Sequence, residues 1–202
     1  INLEISALKT LKKSINKNFD KAVNTIVNCQ SKIILCGVGK SGLIAAKIAS
    51  TLSSVGSPAF SLSANDCLHG DLGSITKKDV LMLISNSGKS EELIPIIKFA
   101  NRNKIKLIGI VAKKNSFLYK GSDIKILLPE VKESGLGIVP TSSTSIQLAI
   151  GDALAVAALK KKQFSKYDFS RFHPGGNLGK QLKTVNDVMV TGIRIPFINE
   201  NK

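Results

Sequence analysis

The sequence predicts a three-layer α/β fold, in which a parallel sheet of five strands is covered by helices on both faces. Two observations support this prediction. Five short segments are rich in Ile, Val and Leu, and longer segments with a helical pattern separate most of them. Continuously apolar strands are typical of parallel sheets that are buried on both faces. This alternation of strands and helices is that of a flavodoxin-like or Rossmann-like domain.

A long helix is predicted over residues 1–30. Apolar residues recur there at steps of three or four, which places them on one stripe of a helix with lysines on the opposite face. They are Ile1, Ile5, Leu8, Leu11, Ile15, Phe19, Val23 and Ile26. We expect this helix to pack on the domain that follows.

The strands are predicted at residues 32–36, 58–62, 79–85, 106–112 and 123–129. Helices are predicted in SGLIAAKIASTLSSVG, SEELIPIIKFANRN and TSIQLAIGDALAVAALKKK. Pro95 is compatible with the second helix because it falls within roughly the first turn. After about residue 164 the sequence is typical of a loop. The predicted organisation is therefore a helix over 1–30, a domain over 31–182 and a linker over 183–202.

Composition and cysteine content favour an ordinary cytoplasmic globular protein. Hydrophobic residues make up 43% and charged residues 21% of the 202 positions. No uninterrupted apolar run approaches the ~20 residues of a membrane span, and the N-terminus lacks a signal-peptide pattern. Cys29, Cys36 and Cys67 form no C-x-x-C pair, which favours a reducing compartment. We therefore expect a cytoplasmic location and no membrane partner.

The net charge of +15 does not predict nucleic-acid binding. Base recognition depends on bidentate arginine and on aromatic stacking. Here 26 of the 29 basic residues are lysine, and aromatic residues are only 5% of the chain. Dispersed, solvated lysines explain this charge, which would also suit a small anionic substrate.

Three strand-to-helix junctions are rich in hydroxyl groups and glycine, namely GVGKSG (37–42), SNSGKS (85–90) and PTSST (140–144). In an open parallel sheet, ligands bind beyond the carboxyl ends of the strands, where helix N-termini attract anions. One hydroxyl near a helix start is usually a cap. These junctions contain more hydroxyl groups than capping requires. They therefore predict a shared anion site, and a phosphate is the anion that we expect there. Its candidate residues are Gly39, Ser41, Ser85, Asn86, Ser87, Ser90, Thr141, Ser142, Ser143 and Thr144.

GVGKSG matches neither nucleotide-binding motif completely. It satisfies G-x-G-x-x-G, but the second predicted strand is not followed by the acid that would bind a ribose hydroxyl. It is not a P-loop, because Ile34 stands where the first glycine is required. Lys40 lies in this glycine-flanked loop, where a fixed cation could hold a phosphate or polarise an oxygen.

Several acids and both histidines admit a structural or a functional interpretation. Glu91 and Glu92 begin a predicted helix, where the dipole alone favours acids. Glu130 and Glu133 lie in an irregular segment, where either is a solvated acid or a general base beside the anion site. A lone histidine such as His69 is more often structural than catalytic. His173 lies in FHPGG, a setting that suggests a positioned side chain.

The motifs CGVGKSG, LHGDLG, ISNSGKSEE, PTSST, GDALAVA and HPGGNLG occur in this order. Over residues 1–195 the chain resembles the sugar isomerase (SIS) domain of bacterial D-arabinose 5-phosphate isomerases. The resemblance implies reversible isomerisation of D-ribulose 5-phosphate and D-arabinose 5-phosphate. This reaction supplies the 3-deoxy-D-manno-octulosonate of lipopolysaccharide or capsules. The resemblance also implies a homotetramer with sites near subunit contacts, and no cofactor.

By motif position, the resemblance places catalytic roles on Lys40, Glu92, Glu133 and His173. It also places His69 in the site and associates it with inhibitory metal binding. Glu130 stays open as an alternative to Glu133, because the segment KESGLGIVP is one residue shorter than in the family and lacks the usual Ala-Cys-Pro. Residues 183–202 would lead to paired CBS regulatory domains, so the sequence is expected to be a truncated or a catalytic-only form. The alternative function is a non-catalytic module that senses a phosphosugar.

Overall fold

The structure is a computed structural model that describes residues 1–173 and 185–195. The chain divides into two compact units, Ile1–Phe164 and Ser165–Lys202. The first unit contains the sheet and the cavities considered below.

The first unit is built on a five-stranded sheet in which every strand is parallel to its neighbours. The strands are β1 (Ile33–Gly37), β2 (Ala59–Ser63), β3 (Val80–Ser85), β4 (Lys106–Val111) and β5 (Ile124–Leu127). Their order in the sheet is β2-β1-β3-β4-β5. In the register, Ile33 of β1 lies beside Ala59 on one side and Val80 on the other. The predicted five-stranded parallel sheet is confirmed, with strand boundaries shifted by one or two residues.

Helices cover both faces of this sheet. They are α1 (Asn2–Ser14), α2 (Lys17–Val27), α3 (Lys40–Ser54), α4 (Ala64–Leu68), α5 (Leu93–Arg102), α6 (Phe117–Gly121) and α7 (Ser142–Lys161). Successive strand residues point to opposite faces. Met82 accordingly packs in the core with Ile48 of α3, while Leu83 packs in a second core with Ile96 of α5. Two separate apolar cores give the predicted three layers.

The N-terminal region differs from the predicted single helix, because it forms two helices. Ile15 adopts an extended conformation between them. Asn16 then caps α2, since its side chain accepts a hydrogen bond from the backbone amide of Asn18 at 2.9 Å. An asparagine cap of this kind competes with continuation of the preceding helix. The apolar period runs through the break, so periodicity alone did not reveal it.

Helix α7 is the longest element that the structure describes. It has 20 residues and, among the described residues, is the one helix long and apolar enough to cross a membrane by length and composition. Polar residues interrupt it, which is why no continuous apolar run marks it in the sequence. Its buried residues include Ile146, Ile150 and Leu154, which pack in the core that also contains α1, α2 and α3. It therefore has the packing of a core helix.

The second unit begins with a helix that sequence analysis assigned to a loop. Helix α8 (Lys166–Phe172) starts at a capping box, in which Ser165 and Asp168 each bond to the backbone of the other. This is a recognisable start signal for a helix. A further short helix, α9 (Val185–Val188), precedes a 3-10 turn at Gly192–Arg194. In the first unit, α4, α6 and a 3-10 turn at Asp71–Ser74 were likewise not predicted.

Candidate functional site

A cavity of about 340 Å³ lies at the carboxyl edge of the sheet, next to the ends of β1 and β3. The strand order reverses at this position, which is where ligands bind in open α/β sheets. Polar side chains from all three predicted junctions and from the loop before α7 line it. They are Lys40, Ser41, Asn86, Glu133, Ser143 and Thr144. The three segments therefore meet at one cavity, as the sequence predicted.

The first wall is the turn from β1 into α3, and glycine is required for its geometry. A Cβ atom on Gly37 would lie 2.8 Å from the backbone of Ser41, and one on Gly42 would lie 2.8 Å from the carbonyl oxygen of Gly37. The first turn of α3 can therefore lie directly against the end of β1. Lys40 is the first residue of α3 and is exposed. The glycines of GVGKSG thus place Lys40 and Ser41 at the cavity.

The second wall comes from the SNSGKS loop, of which Asn86 lines the cavity. Ser85 is buried, and its hydroxyl accepts a hydrogen bond from the amide of Gly88 at 3.0 Å. The Ser85 and Ser90 hydroxyl oxygens are 3.4 Å apart. Ser87 accepts from the amide of Lys89 at 3.3 Å and lines a neighbouring, larger cavity. These serines shape the loop, and their role in substrate binding stays a prediction.

The third wall is the N-terminal turn of α7, and Glu133 is bound to it. The carboxylate of Glu133 accepts hydrogen bonds from the backbone amides of Thr141 at 2.9 Å and Ser143 at 3.3 Å. The Thr141 hydroxyl donates to the same oxygen at 3.3 Å. Thr141, in the N-cap position, makes no side-chain cap of its own. Glu133 therefore satisfies amide groups that the helix itself leaves without partners.

These contacts determine the charge of Glu133. Burial by itself would raise the pKa of this carboxyl, but hydrogen bonds from Ser143 and Thr141 outweigh it and hold the pKa below its ordinary value. Glu133 is consequently an anion at neutral pH. The cavity thus combines a carboxylate, the Lys40 side chain and several hydroxyl groups.

Glu130 occupies a different place. Its carboxylate lies 2.8 Å from the Lys113 ammonium and is 69% exposed. It lines the neighbouring cavity of about 550 Å³, which is not the cavity that contains Lys40. Of the two acids that sequence reasoning left open, Glu133 is the one that the fold brings to the three junctions.

Gln147 is a cavity residue that sequence reasoning missed. It lies on the second turn of α7, is 1% exposed, and accepts a hydrogen bond from the Ser41 hydroxyl at 3.2 Å. It lines the same cavity as Lys40 and Glu133. A usable signal existed, because Gln147 follows Ser143 by four residues and so lies on the same helical face.

Other predicted site residues do not line this cavity. Gly39 has a left-handed backbone conformation and lines a cavity of about 300 Å³ beside the ends of β1 and β2. Ser142 is fully buried, and its hydroxyl has no hydrogen-bond partner among the described residues. Glu92 is half-buried in the N-cap position of α5. The roles assigned to these residues stay predictions.

The two histidines lie in different parts of the chain. His69 is exposed in the C-cap position of α4. His173 belongs to the second unit, where it follows α8, and its ring stacks on that of Phe169 with centroids 3.9 Å apart. The HPGG segment that begins at His173 otherwise lies outside the described residues. Within the described part of the chain, no group of three His, Cys, Asp or Glu side chains could hold a metal ion, so the metal role of His69 stays a prediction.

Comparison with known proteins identifies the family. The SIS domain model matches residues 26–157. The arabinose 5-phosphate isomerase KdsD of Escherichia coli K12 is 41% identical over 200 residues, which cover 98% of this chain and 61% of KdsD. The uncharacterised protein RP505 of Rickettsia prowazekii is 40% identical over 201 residues, covering 100% of this chain and 63% of RP505. The chain thus spans less than two thirds of these curated relatives.

A solved structure agrees with the sequence comparisons. The protein c3406 of E. coli CFT073, determined in complex with arabinose 5-phosphate, has a TM-score of 0.82 and 34% identity. The match covers 86% of this chain and 93% of c3406. The family model, the sequence relatives and the solved structure agree on one family. The chain belongs to the SIS domain family.

Proposed function

We propose that the protein catalyses aldose–ketose isomerisation of a sugar phosphate, and specifically of D-ribulose 5-phosphate and D-arabinose 5-phosphate. The observation that supports this most is the composition of the β1–β3 cavity. Lys40, the Glu133 carboxylate and the hydroxyls of Ser41, Ser143 and Thr144 share about 340 Å³. Small-molecule sites typically have volumes of about 300–1,000 Å³.

These groups supply what the reaction needs. Isomerisation moves a proton between C1 and C2 through an enediol, so it requires a base and a group that stabilises charge on the substrate oxygens. Glu133 is available as the base, because it is ionised at neutral pH. Lys40 is available to stabilise the developing negative charge. In the proposed scheme Glu133 removes the proton from one carbon and returns it to the other, while a second group passes the hydroxyl proton between the two substrate oxygens, so no net proton is gained or lost.

The phosphate is proposed to bind through the helix N-termini and hydroxyl groups of the three junctions. Helix N-termini offer amides and a positive dipole end, which favour a phosphate. At α7 the amides of Thr141 and Ser143 already bond to Glu133, so the hydroxyl groups are the donors proposed there. Anchoring the phosphate orients the distant reacting carbons, so binding energy at a non-reacting group lowers the barrier. SNSGKS is the segment proposed to hold the phosphate, and Glu92, which follows it, is proposed as the alternative to Glu133 as the proton-transfer base. His173 is proposed to assist ring opening or proton relay.

Assembly, location and pathway are proposed together with the activity. A homotetramer, a cytoplasmic location and supply of the octulosonate of lipopolysaccharide or capsule are proposed from the resemblance to arabinose 5-phosphate isomerases. Light scattering of the purified protein measures the assembly directly. A monomer would contradict the proposed tetramer and would leave the chemistry to be tested separately.

The activity is tested by incubating the protein with a panel of pentose and hexose phosphates and following aldose–ketose exchange. Ribulose 5-phosphate and arabinose 5-phosphate should interconvert, with the other sugars much slower. Thermal-shift titrations with ribulose 5-phosphate and with NAD accompany the assay, because a ligand that binds the native state stabilises it. Stabilisation by the sugar without exchange would indicate a sensor. Stabilisation by NAD alone would indicate a dinucleotide site at GVGKSG.

A further inference from the structure

Gln147 is unusual among the buried residues of this protein. It is the only buried carboxamide side chain among the described residues, where the other buried polar or charged side chains are serines and Asp79. The buried positions of α7 beyond Gln147 are apolar or glycine, among them Ile150, Leu154 and Ala155. Burying an amide costs free energy unless its polar atoms find partners. A polar residue in this place therefore needs an explanation that packing does not give.

The hydrogen bonds of Gln147 account for only one end of its amide. The side-chain oxygen accepts from Ser41 at 3.2 Å. Among the described residues, the amide nitrogen donates no hydrogen bond. Gln147 lines the cavity of Lys40 and Glu133, so this cavity is where its amide nitrogen can find an acceptor.

The hydrogen bond from Ser41 to Gln147 also determines whether the Ser41 hydroxyl can donate to a ligand or accept from it. Because the Ser41 proton points to the Gln147 oxygen, the remaining lone pairs of the Ser41 hydroxyl are free to accept. Gln147 offers the complementary group, since its amide nitrogen has two hydrogens to donate. The pair therefore presents one acceptor and one donor side by side.

We propose that Gln147 is a specificity-determining and oxyanion-stabilising residue of this site. Its amide nitrogen donates to the substrate oxygen that alternates between carbonyl and enediol, while its amide oxygen holds Ser41 as the acceptor for the neighbouring hydroxyl. An open-chain ketose or aldose presents this combination, a carbonyl oxygen next to a hydroxyl. This inference rests on the proposed isomerase function. It attributes the recognition of open-chain aldoses and ketoses to the pair formed by Ser41 and Gln147.

The orienting and the donating roles can be separated with two variants. Gln147→Leu removes both the acceptor for Ser41 and the donor to the substrate. Gln147→Glu keeps an acceptor for Ser41 but cannot donate when ionised. Gln30→Leu and Gln30→Glu are the matched controls, because Gln30 is exposed and lines a cavity that also contains Asp79 and Lys106.

Turnover and KM are measured for each variant with ribulose 5-phosphate. Removing one donor to a developing oxyanion typically lowers kcat by about 10²–10³-fold. We expect both Gln147 variants to lose kcat on this scale, with KM changing less, while both Gln30 variants stay like the wild type. Thermal unfolding of every variant accompanies the kinetics. Gln147→Leu should remain folded, because it replaces a buried amide with an apolar group of similar size.

The outcomes distinguish the inference from the proposed function. If the wild type isomerises the sugar and both Gln147 variants keep its kcat, the inference fails while the function stands. If Gln147→Glu is fully active at a pH at which its carboxyl is ionised and only Gln147→Leu is slow, donation is refuted and Gln147 acts only through Ser41. If the wild type neither binds nor converts any phosphosugar, the proposed function fails and takes this inference with it.

Discussion

The Glu133 carboxylate has two different surroundings, the start of α7 and the cavity. It satisfies backbone amides at the start of α7 and faces the cavity that contains Lys40. The contacts that lower its pKa also fix the position of its carboxylate. A fixed carboxylate needs less reorganisation when the substrate binds. Its position beside α7 is therefore consistent both with a structural and with a catalytic role, and mutation can separate them.

Glu133→Gln is expected to lower the rate of arabinose 5-phosphate formation by roughly 10²–10⁴-fold, the usual contribution of a general base. The fold should persist, because the carboxamide oxygen still accepts hydrogen bonds from α7. The control is Glu130→Gln, which removes an exposed ion pair with Lys113 of a kind worth about 0–1 kcal/mol. Full activity of Glu133→Gln would exclude Glu133 as the base, and a comparable loss in Glu130→Gln would show that the effect is not specific to Glu133.

Among the elements, the loop between β3 and α5 has a strict backbone requirement. Gly88 has φ of +64°, and a Cβ atom there would lie 2.4 Å from the hydroxyl oxygen of Ser116. The carbonyl of Gly88 also accepts from the amide of Leu118 at 3.2 Å. The SNSGKS loop is thus tied to the segment that begins α6. Its shape depends on contacts across the fold as well as on its own serines.

Gly88→Ala is expected to destabilise the protein by about 1–3 kcal/mol, because it combines an unfavourable φ with a steric clash. It should also raise KM for the sugar phosphate if SNSGKS binds the phosphate. Gly73→Ala is the matched control, since no atom lies within 4 Å of its added Cβ. Its stability should stay within about 0.5 kcal/mol of the wild type in urea unfolding. Equal stability of both variants would show that the loop can rearrange freely.

In the first unit as a whole, the carboxyl edge and the amino edge of the sheet differ in structure. The carboxyl edge bears the cavity, whereas the amino edge is held together by Asp79. This buried carboxylate accepts from the Thr76 amide at 2.6 Å, from the Thr76 hydroxyl at 2.9 Å and from the Lys32 amide at 3.2 Å. It thereby joins the segments that enter β1 and β3. Burial alone would raise the pKa of Asp79, but these bonds and one from Ser31 outweigh it and lower the pKa.

The stability of the protein should therefore depend on pH in a predictable direction. Because the native pKa of Asp79 lies below that of the unfolded chain, about 3.9, its contribution is complete above that pH and is lost as the pH falls through the native value. Asp79→Asn should cost about 2–4 kcal/mol near neutral pH, since it removes a buried charge from its donors. Asp79→Asn should also lose less stability than the wild type when the pH is lowered.

The measurement is urea unfolding of the wild type and Asp79→Asn between neutral pH and about pH 3, with the exposed Asp20→Asn as control. The control should follow the wild type at every pH. If Asp79→Asn and the wild type lose stability in parallel on acidification, Asp79 is not the group responsible.

How much of the site was predictable is clearest from individual residues. Lys40 and Asn86 were predicted from their place directly after apolar strands, because parallel strands bring their carboxyl ends to one edge. Glu133 and Glu130 could not be separated, since both lie in one irregular segment and only the path of that segment decides which acid reaches α7. Gln147 was missed because its spacing of four residues from Ser143, which places both on one helical face, was not used. The break at Ile15 was missed because an apolar period continues through it.

The sequence by itself determined the five parallel strands, the helices that cover them on both faces, and the edge of the sheet at which the cavity lies. These features depend on local information, namely the alternation of apolar strands and helices and the hydroxyl-rich turns between them. Tertiary structure alone decided which of those side chains meet. It brought Ser41 of α3 to Gln147 of α7, and it turned Ser142 into the core while leaving Ser143 at the cavity. Such contacts join residues more than a hundred positions apart, and only packing of the helices against the sheet brings them within hydrogen-bonding distance.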